Sequence, residues 1–310
     1  MKAKYGIERK KKRITGREWQ WIFMCILPVL HVFVYSYLTL YGLLIPFKDY
    51  KFGRGIWGSD WVGLDNILVF LRSNDAIRLT RNTLFLNVIL ISTSMIAQIA
   101  LAIIFYLLTS RRGLKVYQTV MITPHFLSWV VGGYVAYAIL TQNGVINTLL
   151  KNIGMQPISF YTQGSYWPAI LSVANVWKGV GMGCIIYYAT LMGVDSSLYE
   201  AARIDGAKRR QEIRYIMLPM LSRVIVLNLI MAIGGILSSD FGLFYNMTRD
   251  SGSLYATTDV IDTYVYRAMR VMGDMELSSA VGLLKSVIGF VLVYITNWLV
   301  RRYDEELSLF

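Results

Sequence analysis

Six stretches of the chain are apolar over the length that a bilayer core demands, and polar residues separate them. A helix crossing hydrocarbon needs about 20 mostly apolar residues, because its backbone groups must all be satisfied within the segment. By that measure the pattern predicts spans at 21–45, 82–109, 116–140, 167–192, 218–240 and 280–300. The expected fold class is all-α, a polytopic membrane protein with six transmembrane helices. A basic segment at 1–18 precedes one membrane domain at 19–303, which contains a polar loop at 195–217, and a tail at 304–310 follows.

Composition agrees with this pattern. A soluble chain carries about 25% charged residues, whereas this one has 16% charged, 55% hydrophobic and 14% aromatic residues. Lys and Arg gather at 9–17, at Arg111, Arg112 and Lys115, at 203–214, and at Arg301 and Arg302. Basic residues favour the cytoplasmic side, so both termini are expected in the cytoplasm. The loop after the first span dissents, with Lys48, Lys51, Arg54, Arg72, Arg78 and Arg81; four agreeing clusters outvote it.

The net charge of +12 sits at membrane edges with no nucleic-acid motif, so anionic membrane lipid is the expected partner and nucleic acid is not. Arg9 to Arg13 are not followed at once by the short apolar run and small-residue cleavage site of a signal peptide, and the first span is expected to stay. Cys25 and Cys184 lie inside spans without metal-ligand spacing and read as packing residues. The sequence holds no phosphate-binding Gly-x-x-x-x-Gly-Lys-Ser/Thr, no His-Glu-x-x-His and no Gly-x-Ser-x-Gly. Any ATP hydrolysis is therefore expected in another subunit.

The loop between the fourth and fifth spans is the most informative segment. It reads Glu200-Ala-Ala-Arg-Ile-Asp-Gly-Ala207, followed by Gln211, Ile216 and Leu218-Pro219. Ser197 is placed to cap a short helix with Glu200 reaching back, and Leu198, Ala201 and Ala202 fall on one face. Asp205-Gly206 stops that helix. Ala202 and Ala207 leave room for another protein's surface, while Arg203, Lys208, Arg209 and Arg210 supply positive charge. Capping alone explains Glu200 equally well; the whole string through Pro219 favours docking.

That string resembles the EAA loop of bacterial ABC importer permeases, the docking site for the ATPase subunit. Further segments resemble the polysaccharide and oligosaccharide, or lipoprotein-type, branch of that family: Trp61-Val-Gly-Leu-Asp-Asn66, Arg81-Asn-Thr-Leu84, Gln118-Thr-Val120, Pro124-His-Phe-Leu-Ser-Trp-Val-Val131, Val176-Trp-Lys178, Asp259-Val-Ile-Asp-Thr-Tyr-Val-Tyr266 and Ala280-Val-Gly282. The resemblance implies a type I importer half with six helices. Its implied partners are a second homologous permease, two cytoplasmic ATPase subunits that hold ATP and Mg, an extracytoplasmic sugar-binding protein and an oligosaccharide. No cofactor is expected on this chain, and no metal or catalytic residue. The implied coupling residues are Glu200, Ala201, Ala202, Asp205, Gly206 and Ala207. Arg210 departs from the aromatic residue many relatives carry, and 269–275 matches no recognised pattern.

Polar residues within the spans are candidates for the substrate pathway, since an ionisable group at a span centre costs about 2.5 to 3.5 kcal/mol on insertion scales. Lys178 stands beside Trp177 and one turn from Asn175. On one reading Trp177 stacks on a pyranose while Lys178 and Asn175 bind hydroxyls or a carboxylate, which hints at acidic oligosaccharides. On the other, Lys178 pairs with a carbonyl or acid of the partner permease. Trp129 and Tyr134 are candidates for sugar stacking, with Gly132 and Gly133 as packing positions. Asp240 at the end of the fifth span is a candidate partner for a basic residue or a sugar hydroxyl, or else a solvated interfacial acid. Arg223 and Lys285 are expected to snorkel, His125 to make a backbone or interhelical hydrogen bond, and Asn82, Asn87 and Gln98 to face other helices. Two other classes compete with an importer subunit. An ion-coupled carrier would need intramembrane acids and broken helices, and a scaffold would bind an ATPase without transport.

Overall fold

The computed structural model describes residues 16–108 and 110–303. The expected cytoplasmic segments, 1–18 up to residue 15 and 304–310, lie outside the described residues, as does Thr109 at the end of the second expected span.

α1 (Gly16–Val32) continues through a wide π-type turn at Phe33–Tyr37 and a 3-10 helix at Leu38–Phe47. Its apolar side chains are exposed on nearly every side, as suits a span at the rim of the chain. β1 (Lys48–Asp49) and β2 (Asp60–Trp61) then pair antiparallel across α2 (Gly55–Gly58), with Lys48 opposite Trp61. α3 (Asp65–Arg72) leads into α4 (Asn74–Leu107), whose N-cap Ser73 accepts from the Ala76 amide.

The expected third span at 116–140 is not one helix. α5 (Arg111–Ile122) passes into a 3-10 turn at Thr123–Phe126, and α6 (Trp129–Leu140) restarts beyond it, followed by α7 (Val145–Asn152). The two halves meet at 96°. The apolar sequence runs on, but the backbone ladder does not. Pro124 brings no N–H to the ladder, Leu127 and Ser128 turn extended, and Ser128 caps a new helix by accepting from the Val131 amide.

α8 (Trp167–Met192) is one unbroken helix, and α9 (Ser196–Ile204) is the loop helix. α10 (Arg209–Glu212) runs through a wide turn at Ile213–Met217 into α11 (Leu218–Gly234). The turn falls just ahead of Pro219, where the helical ladder loses a donor. The fifth span thus ends at Gly234, short of the expected 240, because Asp240 begins the next helix. α12 (Phe241–Thr248), α13 (Tyr255–Thr258) and α14 (Ile261–Arg267) fold back as short helices before α15 (Met275–Tyr303). Among the described residues, five helices are long and apolar enough to cross a membrane, or six if the bent pair counts as one.

α4 packs along α8, and the residues they share show that the two run in the same direction. Leu86 and Leu90 lie with Trp167 and Leu171 in one core, which Leu243 and Phe244 of α12 complete. Ala102 and Phe105 lie with Cys184, Tyr187 and Leu191 in a second, which includes Tyr199, Met217 and Leu221. A third core joins Phe70 and Leu79 to Ile261, Tyr264 and Val281. The second core roots the loop helix on the ends of α4 and α8.

Candidate functional site

Tyr199 is the one residue of α9 that is buried; its ring lies 5.6 Å from that of Tyr106. That anchor turns Glu200, Ala201 and Arg203 outward. The expected cap is displaced by two residues: Asp195 takes the N-cap and accepts from the Ser197 amide at 3.0 Å, since its carboxylate reaches the first free N–H more directly than a hydroxyl further along can. That bond holds the Asp195 carboxyl below its ordinary range. Glu200 is thereby left free of capping and exposed.

The helix ends as Asp205-Gly206 predicts. Gly206 sits at φ +75°, its N–H reaching the Arg203 carbonyl and the Ala207 N–H reaching that of Ala202 at 2.8 Å. This is a Schellman ending, in which a left-handed residue lets two orphan carbonyls be satisfied, and glycine takes that conformation without a side-chain penalty. The next turn is held by a residue that sequence reasoning missed. Glu212, 3% exposed, accepts from Arg203 Nε at 2.9 Å and Arg209 Nη1 at 2.8 Å. The Arg209/Glu212 spacing of three was the available signal. The outcome is a rigid basic knuckle presenting Glu200, Ala201, Asp205 and Gly206 outward, with Ala202 and Ala207 half-buried beneath.

The pathway candidates separate into distinct places. Lys178 Nζ donates to the His125 carbonyl at 2.9 Å and lies 5.2 Å from the Trp129 ring centroid. It satisfies a carbonyl freed by the break in the third span, so its carbonyl partner belongs to this chain. Trp129 Nε1 donates to Asp240 Oδ2 at 2.6 Å, while Asp240 Oδ1 caps α12 through the Leu243 amide. Lys178, Trp129 and Asp240 are therefore brought together. Asn175 is not: its amide donates to Ser94 Oγ on α4 at 2.8 Å.

Trp129 and Trp177 line an apolar groove of about 570 Å³ with Gly132, Ile139, Val173 and Met247. Tyr134, 68% exposed, stands on another face of α6, in a cavity of about 210 Å³ with Gly133, Tyr245, Asn246 and Arg249. α6 and α12 touch closely there, since a Cβ on Gly133 would lie 2.6 Å from the Asn246 carbonyl oxygen. Of the residues lining this smaller cavity only Gly133 and Tyr134 stood out in the sequence; α12 lay in the segment beyond the expected fifth span.

Several further ionisable groups are tied into ion pairs at one end of the helices. Asp259 accepts from Arg267 at 2.5 Å, Arg78 at 3.2 Å and Thr263 at 2.8 Å, and Arg267 also holds Asp250 at 2.7 Å. Lys285 does not snorkel. Its ammonium meets Asp262 at 2.5 Å, and Asp262 also accepts from the Ser239 amide at 2.7 Å, because the fold returns α14 alongside α15. Asn82 and Asn87, expected to face other helices, donate instead to loop carbonyls at Asp259 and Ile236.

Comparison with known proteins follows the same lines. The family model described as "Binding-protein-dependent transport system inner membrane component" matches residues 83–305. Protein LplB of Bacillus subtilis (strain 168) is 34% identical over 289 residues, covering 93% of this chain and 90% of its own. The polygalacturonan/rhamnogalacturonan transport system permease protein YteP of the same organism is 32% identical over 301 residues, 96% of this chain and 93% of its own. Among solved structures, a bacterial ABC transporter involved in import of the acidic polysaccharide alginate superposes with a TM-score of 0.84 at 29% identity, covering 93% of this chain and 97% of that one. The bacterial alginate ABC transporter in complex with an alginate pentasaccharide-bound periplasmic protein gives 0.82 at 30% identity, covering 93% and 96%.

Proposed function

The chain belongs to the binding-protein-dependent transport system inner membrane components, and from that premise we propose that it is one permease half of an ATP-driven importer of oligosaccharides or polysaccharide fragments, acidic ones among them. The observation that carries this reading is the loop helix. α9 is rooted by Tyr199 in the core where α4 and α8 end, and it turns Glu200, Ala201 and Asp205 outward. A partner that pushes on this knuckle pushes on the ends of two spans at once, which is what alternating access requires of a coupling element.

In this reading ATP and Mg are bound, and ATP is hydrolysed, on two separate cytoplasmic ATPase subunits, and a second homologous permease closes the pathway. An extracytoplasmic sugar-binding protein delivers substrate. The termini face the cytoplasm, a placement supported by the basic residues of 203–214 and by the parallel course of α4 and α8. The substrate class draws support from relatives whose names specify polygalacturonan, rhamnogalacturonan and alginate. A secondary carrier gains no support from the broken third span, because Lys178 and Ser128 satisfy the backbone there and the acids near the helices are already paired.

Affinity purification of the chain from gently solubilised native membranes tests the assembly. An ATPase and a second permease are expected with the native chain, and the ATPase is expected to be lost with a Glu200→Ala, Gly206→Pro double variant. A native chain recovered with no ATPase would defeat the coupling role.

A further inference from the structure

Arg249 and Asp250 close α12 with two successive left-handed residues, at φ 56° and 46°. Neither is glycine, and a side chain held in that region marks a position that the surrounding structure has fixed at some cost. The turn sends the two side chains to different partners. Asp250 is taken by Arg267 at 2.7 Å and by the Tyr255 hydroxyl at 3.0 Å. Arg249, its neighbour in sequence, forms no ion pair among the described residues and lies with its guanidinium 4.1 Å from the Tyr137 ring centroid.

The guanidinium borders the cavity of about 210 Å³ between α6 and α12, whose other polar groups are Tyr134, Tyr245 and the Asn246 side chain. Stacking on an aromatic face fixes the plane of an arginine while leaving its edge N–H groups available. Such an edge matches a carboxylate with two parallel hydrogen bonds. The exposed Tyr134 ring supplies a flat apolar face at the same cavity.

We propose that this cavity is a carboxylate-reading subsite for uronate residues, with Arg249 as its specificity determinant and Tyr134 as the face on which the pyranose lies. The proposal deepens the importer reading and rests on it. It also divides the work between two cations: Lys178 holds the broken span together through the His125 carbonyl, while Arg249 meets the acidic sugar.

The test uses the assembled permease–ATPase complex in detergent, without binding protein, so that the delivery step imposes no selectivity. Equilibrium dialysis compares a labelled galacturonate tetrasaccharide and a labelled mannuronate tetrasaccharide with their carboxyl-reduced neutral counterparts. The native complex is expected to favour the uronides by about tenfold or more, the size of one hydrogen bond to a charged group. Arg249→Gln is expected to remove that preference, and Arg249→Lys to keep part of it, with binding of the neutral sugars unchanged. A preference that survives Arg249→Gln, no preference in the native complex, or an equal loss for acidic and neutral sugars would overturn the subsite. Uptake by proteoliposomes supplied with binding protein and ATP separates the two levels: uronide uptake indifferent to Arg249→Gln defeats the subsite alone, and native complexes that move no uronide defeat the acidic-glycan reading together with it.

Discussion

Trp129 and Asp240, 111 positions apart, are joined by a 2.6 Å hydrogen bond that ties the first turn of α6 to the first turn of α12. Asp240 serves two donors at once, the indole and the Leu243 amide, so it fixes the start of α12 and its distance from the broken span together.

Asp240→Ala is therefore expected to destabilise the purified chain by about 1–2 kcal/mol from the lost cap alone, with a further loss from the stranded indole. Asp240→Asn should recover only part of the stability, since its single amide oxygen accepts from the Leu243 amide or from the indole while its NH2 can accept from neither. Thermal unfolding of Trp129→Phe, Asp240→Ala and the double variant checks the coupling. A double variant whose cost equals the sum of the singles would show that the two residues act independently.

The knuckle after α9 depends on a left-handed residue and a buried ring. Gly206→Ala is expected to cost about 1 kcal/mol in strain and to weaken ATPase co-purification without changing membrane insertion. Tyr199 separates packing from polarity: its hydroxyl is buried without a hydrogen-bond partner among the described residues, so Tyr199→Phe should be neutral or stabilising. Tyr199→Ala should cost about 3–5 kcal/mol and uncouple ATPase activity from transport. A Tyr199→Phe variant as damaged as Tyr199→Ala would contradict this packing role.

Lys285 and Asp262 form a pair that is 19% exposed on each side. Removing one partner leaves a charge with no counter-ion, so Lys285→Met and Asp262→Asn are each expected to lower stability by about 3 kcal/mol. The double replacement should recover much of the loss. Chemical unfolding in detergent gives the cycle, and Asp262→Asn should be the milder single change because its oxygen still accepts from Ser239.

The Asp195 cap gives a pH dependence with a defined sign. Its carboxyl is lowered by the bond from the Ser197 amide, so its contribution is complete above the ordinary carboxylate range. That contribution is lost as pH falls through the lowered folded value. Hydrogen exchange in Ser196–Ile204, corrected for intrinsic rates, should show unchanged protection through weakly acidic pH and fraying only below the usual carboxylate range. Protection that declines at neutral pH would assign the cap to another group.

The membrane character and the loop helix with its glycine stop were legible in the residues themselves, because length of apolar run and glycine at a helix end act locally. Gly206 could be read as a stop without knowing what surrounds it, since only its own backbone decides the matter. Sequence could not show that 116–140 breaks into two helices, that 218–240 ends early at Gly234, or that Asp195 outranks Ser197 as the cap. Each of those outcomes depends on which of several competing hydrogen-bond partners is used, and sequence order alone does not rank them. The pairings of Lys178 with His125, Lys285 with Asp262 and Trp129 with Asp240 belong to the tertiary structure for the same reason. An apolar run records that a segment enters the bilayer; only the packed helices decide where each polar group inside it finds its partner, and which cation, Arg249, is left facing a cavity.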